Sequence, residues 1–274
     1  MYTHARTHTH THRLKNWAPA WPQSPIVPNT AYSVNTFGII TWMLNEIWPT
    51  GGWGSLEYSQ AAVGSVIGGR WKPLHYLYKR TLYTDQFCAC AVATVPVPSE
   101  GIGRFLCGII NDSPWRFSGK ILLDAVDIQS GVTTTLHSRQ LNMSSGAGVS
   151  EWDDVKSAVP LDPTVTVLVA TIQNTSGHVV HRNTMPLSPP THMRLMNANV
   201  TVHVEGLRVT VTSDAPALFV VLTTAAQGRF EDNAFLLKGG SRTLDFIPFM
   251  SDQEDTLRRT VRVEHLAEAV VGSF

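Results

Sequence analysis

"NVTVHVEGLRVTVTS", residues 199–213, alternates apolar and polar side chains on both sides of a glycine, a pattern that only a half-buried strand pair can bury. Val200, Val202 and Val204 share one face, Glu205-Gly206 turns the chain, and Leu207, Val209 and Val211 return on that face. The period of two recurs in "CACAVATV" (88–95), "GRFLCGII" (103–110), "SGKILLDAVDI" (118–128), "VTTTLHSRQL" (132–141) and "PTVTVLVATIQN" (163–174). Turn residues such as Ser130-Gly131 separate these runs. It resumes in "ALFVVLTT" (217–224), "GGSRTLDFIPF" (239–249) and "RRTVRVEHL" (258–266). The Pro-rich "MPLSPPTHM" at 185–193 divides the two series. Each series has the length of a small β-sandwich, so residues 86–187 and 188–274 are expected to form two of them, immunoglobulin-like in build.

The region before residue 86 has a different grammar. "FGIITWML", 37–44, is apolar on both faces and reads as a strand of a parallel sheet covered on both sides. Pro49, Gly51, Gly52 and Gly54 impose a loop after it. In "RWKPLHYLYKRTLY", 70–83, Trp71, Leu74, Tyr78 and Leu82 fall on one helical stripe, with Pro73 placed for the first turn. A buried strand, a loop and a helix make one βα unit, which needs parallel neighbours to stand. Residues 34–85 are therefore expected to be the last strand and helix of a larger barrel. The first 33 residues are set apart as an unstructured leader. "MYTHARTHTHTHRLK" alternates Thr and His, and Pro-rich, non-periodic sequence follows it. The tract could ligate a metal through His4, His8, His10 and His12, or be a translated dinucleotide repeat.

With 21 basic against 21 acidic residues, the chain gives no electrostatic reason to expect nucleic acid or an anionic membrane as partner. No apolar run approaches the roughly 18–20 residues that span a bilayer, and no signal-peptide layout opens the chain. Cys88, Cys90 and Cys107 are odd in number and lack metal-ligand spacing. Cys88 and Cys90 point to one strand face, which suits buried thiols, and one bridge to Cys107 stays open. Asn142, Asn174 and Asn199 open glycosylation sequons, and Asn111 opens a poorer one because Pro114 follows it.

"TFGIITWMLNEIWPTGGWGSLEY" followed by "GGRWKPLHYLYKR" resembles the close of the catalytic barrel in the β-mannosidases of glycoside hydrolase family 2. That family writes Trp-Gln-Leu-Asn-Asp-x-Trp, then Trp-Ser-Ser-x-Glu-Tyr, then Gly-Gly-x-Trp-Lys-x-Leu-His-Tyr. Trp42, Leu44, Asn45, Trp48, Trp53, Ser55, Glu57, Tyr58, Trp71, Lys72, Leu74, His75 and Tyr76 fall in place. "GRFEDNAFLL", 228–237, with "RTLDFIPF" after it, resembles the family's last domain. The resemblance covers about residues 34–270. Met43 and Glu46 replace the family's Gln and Asp, and "SQAAVGSVI" (59–67) interrupts a segment that is otherwise nearly contiguous. That insert is either a tolerated loop or retained intron sequence.

The resemblance implies a mainly β chain: the remnant of a (β/α)8 barrel followed by two immunoglobulin-like β-sandwiches. It implies retaining hydrolysis of terminal β-D-mannose from glycans in a lysosomal or secreted enzyme. No cofactor and no metal is implied, and the oligomeric state is not indicated. Both family glutamates lie upstream of the Trp-x-Leu-Asn segment, yet residues 1–33 contain no Glu or Asp. The chain alone is thus expected to be an inactive fragment with no catalytic residue. Glu46 reads as a rim or loop carboxylate and Glu57 as a structural hydrogen-bond acceptor, rather than an improvised catalytic pair. Trp42 is the implied sugar-facing residue, against the plainer reading of a core aromatic; Trp48, Trp53 and Asn45 are further substrate-binding candidates. The different-class alternative is a non-catalytic β-sandwich that binds carbohydrate or a protein partner. It is weakened because the sandwich sequences carry only Trp115 and Trp152.

Overall fold

The computed structural model describes residues 42–47, 52–58, 61–62, 65–66, 69–92, 102–145 and 149–271. The leader, Trp48, and residues 37–41 of the apolar run lie outside the described residues. Of that run, Trp42–Leu44 form no strand. Asn45 instead makes a single parallel bridge to Leu56, and Leu56 an antiparallel one to Trp71. The described residues contain no parallel sheet, so the barrel neighbours expected around this segment are not among them. The insert is accommodated as a two-stranded hairpin, β1 (Ala61–Ala62) with β2 (Ser65–Val66). Its flanks stay joined across it, with Glu57 N donating to Arg70 O at 3.0 Å.

Helix α1 spans Pro73–Thr81 and starts with Pro in its first turn, where the missing N–H costs nothing. The stripe read from sequence is too narrow: Leu74, His75, Tyr76, Leu77, Tyr78 and Thr81 are all buried. A helix buried this far round must be enclosed on several sides. One wall is the second strand set, whose core takes in Tyr76.

The first set comprises β3 (Gln86–Val92), β4 (Ile102–Asn111), β5 (Phe117–Asp127), β6 (Thr133–Met143), β7 (Val149–Leu161), β8 (Thr166–Asn174) and β9 (Val179–Pro186). Its sheets run β3-β4-β7 and β6-β5-β8-β9. They close on one core that includes Phe105, Ile109, Ile121, Leu123, Leu168 and Ile172. Strands β7 and β9 escape the sequence reading. The first is charge-rich through Glu151, Asp153, Asp154 and Lys156, and the second, "VVHRNTMP", hides its period behind a buried His181 and Asn183. Cys90 and Cys107 face each other across β3 and β4 and are bonded, whereas Cys88 is a buried thiol. The bridge left open by the sequence is thus the one formed.

The second set is β10 (Val200–Glu205), β11 (Arg208–Ser213), β12 (Ala217–Thr223), β13 (Gly228–Phe230), β14 (Phe235–Leu237), β15 (Gly240–Pro248) and β16 (Arg262–Glu264). Its sheets run β10-β11-β15-β13 and β14-β12-β16. Strand β12 pairs with β14 on both sides of a bulge that includes Phe219, whose φ is 52°, and pairs with β16 from Val221 onward. Helices α2 (Glu254–Thr260) and α3 (Leu266–Val271) flank β16, so "RRTVRVEHL" is helix end, short strand and helix start rather than one strand.

A third apolar cluster joins the two sets: Val126, Ile128, Val165, Val167 and Val169 from the first meet Leu218 and Leu266 from the second, with Met193 of the connecting segment. Gly131 marks how close they come. Its φ is 75°, and a Cβ there would meet Lys238 O at 2.6 Å. Either fact alone demands glycine.

Asn233, in the turn between β13 and β14, does more than shape that turn. The buried Asn233 side chain accepts from Leu222 N and donates to Leu222 O, both at 2.8 Å, and accepts from Ala234 N at 2.9 Å. It thereby substitutes for a missing strand partner of β12. Replacing Asn233 with Ala leaves the Leu222 N–H and C=O unmet inside the core. This is expected to cost about 3 kcal/mol, read as a lower urea midpoint with an unchanged slope.

Candidate functional site: the Trp42–Lys72 ladder

Three short segments lie side by side ahead of α1. Leu44 O accepts the N–H groups of Ser55 (2.9 Å) and Leu56 (3.1 Å), Glu46 N donates to Leu56 O at 3.0 Å, and Lys72 N donates to Ser55 O at 3.0 Å. Gly54 makes the first approach possible, because a Cβ there would collide with the Asn45–Glu46 backbone. Residues 44–46 and 55–57 run parallel. Trp42 and Trp53 each precede the hydrogen-bonded pair Leu44/Ser55 by two residues and so leave the ladder at the same end. Both indoles are exposed, at 79% and 70%. The Trp42–Met43 peptide is cis. Trp42 is therefore no core aromatic among the described residues. Asn45 is exposed, and its Nδ2 donates to Glu46 O at 3.1 Å. Trp48 lies outside the described residues.

The carboxylates of this segment each have a cation. Glu46 is buried, 3% exposed, and paired with Lys72, which corrects its reading as a rim group. Glu57 Oε2 accepts from Arg70 Nε at 2.6 Å, and Arg70 also donates to Thr224 O at 3.2 Å. Glu57 is thus the structural acceptor expected. A carboxyl that protonates a leaving group needs a raised pKa, and a nucleophilic one needs an open face toward the sugar. A carboxylate clamped to its own ammonium or guanidinium is poorly placed for either task.

Sequence reasoning missed the polar link beneath the ladder. Ser55 is fully buried; its hydroxyl donates to Leu44 O at 2.8 Å and lies 3.0 Å from His75 Nδ1. With the Ser55 proton committed to Leu44, His75 donates from Nδ1–H and Ser55 Oγ accepts. Burial lowers the His75 pKa below its ordinary value, consistent with that neutral tautomer. Trp71 packs edge-on against His75, with ring centroids 4.4 Å apart, and Arg229 of β13 lies over the Trp71 ring at 4.7 Å. The only hint in sequence is the spacing of Ser55 and His75 within family-like motifs; their contact needs the fold.

Elsewhere, Trp115 is exposed at 75%, but in the loop joining β4 to β5 rather than on a strand face. That is not the aromatic platform a carbohydrate-binding sandwich would need. Nothing is described of the Trp152 side chain. Asn142 and Asn199 are exposed and Asn174 is half-buried. Asn111 is fully buried and donates to Trp115 O and Ser144 O, each at 2.9 Å.

Residues 193–269 match the Ig-fold domain family of mannosidases. Over 248 residues, 85% of its length, the chain is 25% identical to β-mannosidase of Capra hircus, of which it covers 26%. The chain resembles the C-terminal portion of a β-mannosidase. Among solved structures, β-D-mannosidase of Dictyoglomus thermophilum superposes with a TM-score of 0.58 at 20% identity, covering 82% of this chain and 25% of that one. An exo-chitosanase of Amycolatopsis orientalis superposes with a TM-score of 0.53 at 16% identity, covering 85% of this chain and 30% of that one. These likenesses show the fold: mainly β, several sheets and an Ig-like domain. The chain spans about a quarter of the length of the curated β-mannosidases it matches. No helix among the described residues is long and apolar enough to cross a membrane.

The His75 link has a pH signature. Its folded pKa is lowered, so below the unfolded value of about 6.5 the unfolded chain binds more protons and stability falls with pH. The contribution is intact above that value and declines until pH drops below the folded pKa. Urea midpoints at pH 7.5 and 5.5 are expected to differ less for His75→Gln than for the unaltered chain.

Proposed function

We propose that this chain is the C-terminal part of a retaining β-mannosidase, in which the Trp42–Lys72 ladder is one wall of the sugar site. In this reading residues 34–85 close a (β/α)8 barrel, residues 86–187 and 188–274 are its two immunoglobulin-like sandwiches, and residues 1–33 stand outside the fold. The observation that carries the reading is the paired exit of two exposed indoles, Trp42 and Trp53, from one end of a ladder whose sequence follows the family's motif. An indole face suits the C–H face of a pyranose, and barrel sites lie at the C-terminal ends of strands. Asn45 and Trp48 complete the proposed contacts. The substrate class is terminal β-linked mannose of glycans, processed in the lysosome or outside the cell.

Retaining hydrolysis needs an acid and a nucleophile, their carboxyls about 5–5.5 Å apart. Glu46 and Glu57 are each bound to a cation of their own, so in this proposal both catalytic carboxylates belong to sequence outside this chain. Incubated with a chromogenic β-mannoside, the chain is expected to give no turnover above buffer. Robust turnover that disappears in Glu57→Gln would overturn this assignment.

A further inference from the structure

One end of the first sandwich gathers features that the glycosidase reading leaves unused. Strand β5 pairs with β6 on one side and β8 on the other; Ser118 faces Asn142, and the next residue, Gly119, faces Asn174. Two sequons therefore flank β5 at one end, one residue apart in register and so on opposite faces of the sheet. The opposite end of β5, at Val126, belongs to the cluster that joins the second strand set. About eight strand residues, some 25 Å at the usual rise, separate the sequons from that seam. At the sequon end lies the exposed Trp115, in the loop entering β5. The Asn111 side chain ties this loop to Ser144, the third residue of the Asn142 sequon, by donating to Trp115 O and Ser144 O.

We propose that Asn142 and Asn174 are N-glycan acceptors and that the Asn142 glycan, whose sequon is tied to the Trp115 loop through Asn111, screens the Trp115 indole at this pole. Asn142 is exposed and stands on the outer face of β6 between the inward Leu141 and Met143, so a glycan there enters solvent directly. Asn174 opens the turn from β8 to β9. Its Oδ1 accepts from Ser176 N at 3.1 Å and His178 N at 2.9 Å. That grip holds the oxygen inside the turn and leaves Nδ2 on the opposite side of the amide. Asn111 shows the contrast: its Nδ2 is buried and makes two hydrogen bonds, so a glycan there is incompatible with the fold.

The donor is an oligosaccharide carried on a polyprenyl pyrophosphate. The acceptor Nδ2 bonds to the anomeric carbon, the carbon–oxygen bond to pyrophosphate breaks, and one Nδ2 proton passes to a base of the transferase. Such chemistry belongs to the compartment in which disulfides form, and the pairing of Cys90 with Cys107 across β3 and β4 suits that setting.

The full chain, directed into the endoplasmic reticulum of a eukaryotic host by an added signal sequence, provides the test. Glycopeptide mass spectrometry is expected to find glycan on Asn142 and Asn174 and unmodified Asn111, with one mobility step lost to peptide N-glycosidase for each acceptor when Asn142→Gln and Asn174→Gln are compared with the unaltered chain. Enzymatic removal from the folded protein is then expected to increase acrylamide quenching of tryptophan fluorescence and to promote self-association. Trp115→Ser is expected to abolish both changes, which separates screening from loss of folding. Unmodified Asn142 and Asn174, or glycan on Asn111 in folded protein, would overturn the acceptor assignment. Quenching and association unchanged by deglycosylation would overturn the screening role.

Discussion

Tyr76 is the point on which the arrangement turns. It is 1% exposed, its ring lies in the core of the second strand set, and its hydroxyl accepts from Phe230 N at 2.8 Å. Burial pushes the phenol pKa far up, which keeps it the neutral partner of that N–H. A helix carrying two buried tyrosines, two buried leucines and a buried histidine cannot persist in water on its own. Here the second sandwich supplies one wall, and strand β9 of the first also lies against the helix. Around the tyrosine, Arg80 donates to Asn233 O and Ala234 O, and Lys79 donates to Glu231 O. Asp232 sits between Arg80 and Arg242; burial would raise its pKa, but the two guanidiniums hold it below the usual carboxylate range.

The same helix supports the ladder from the other side. His75 reaches Ser55, Ser55 fixes Leu44, Lys72 holds Glu46, and Arg70 spans from Glu57 to Thr224 of the second set. A continuous series of contacts thus runs from a sandwich core to the segment bearing Trp42. This explains how a segment distant in sequence from residues 224–234 takes a defined shape without a parallel sheet around it among the described residues. It also explains why Glu46 has a structural partner in Lys72: an unpaired carboxylate buried there would be costly.

The first sandwich joins the second through an apolar seam of valines, leucines and isoleucine rather than through ion pairs. Apolar burial is non-directional, so the fixed approach comes from local geometry such as the Gly131 turn against Lys238. The sandwich is stapled internally by Cys90–Cys107, and its far pole carries the exposed Trp115.

Strand periodicity determined most of the β architecture directly. Alternation over 199–213 gives a hairpin because only one register sets Val200, Val202 and Val204 on the same face as Val209 and Val211, although the turn centres on Gly206-Leu207 rather than Glu205-Gly206. Helical spacing named α1, and the family-like motifs singled out Trp42 and Trp53. Local pattern could not show where α1 docks, since a stripe of apolar residues states that a face is buried and not against what. Nor could it pair Ser55 with His75, Lys72 with Glu46, or Cys90 with Cys107, or reveal β7 and β9 beneath charged and polar sequence. Those pairings join residues whose contact depends on backbone meeting backbone, and only the tertiary structure brings them within hydrogen-bond or covalent reach.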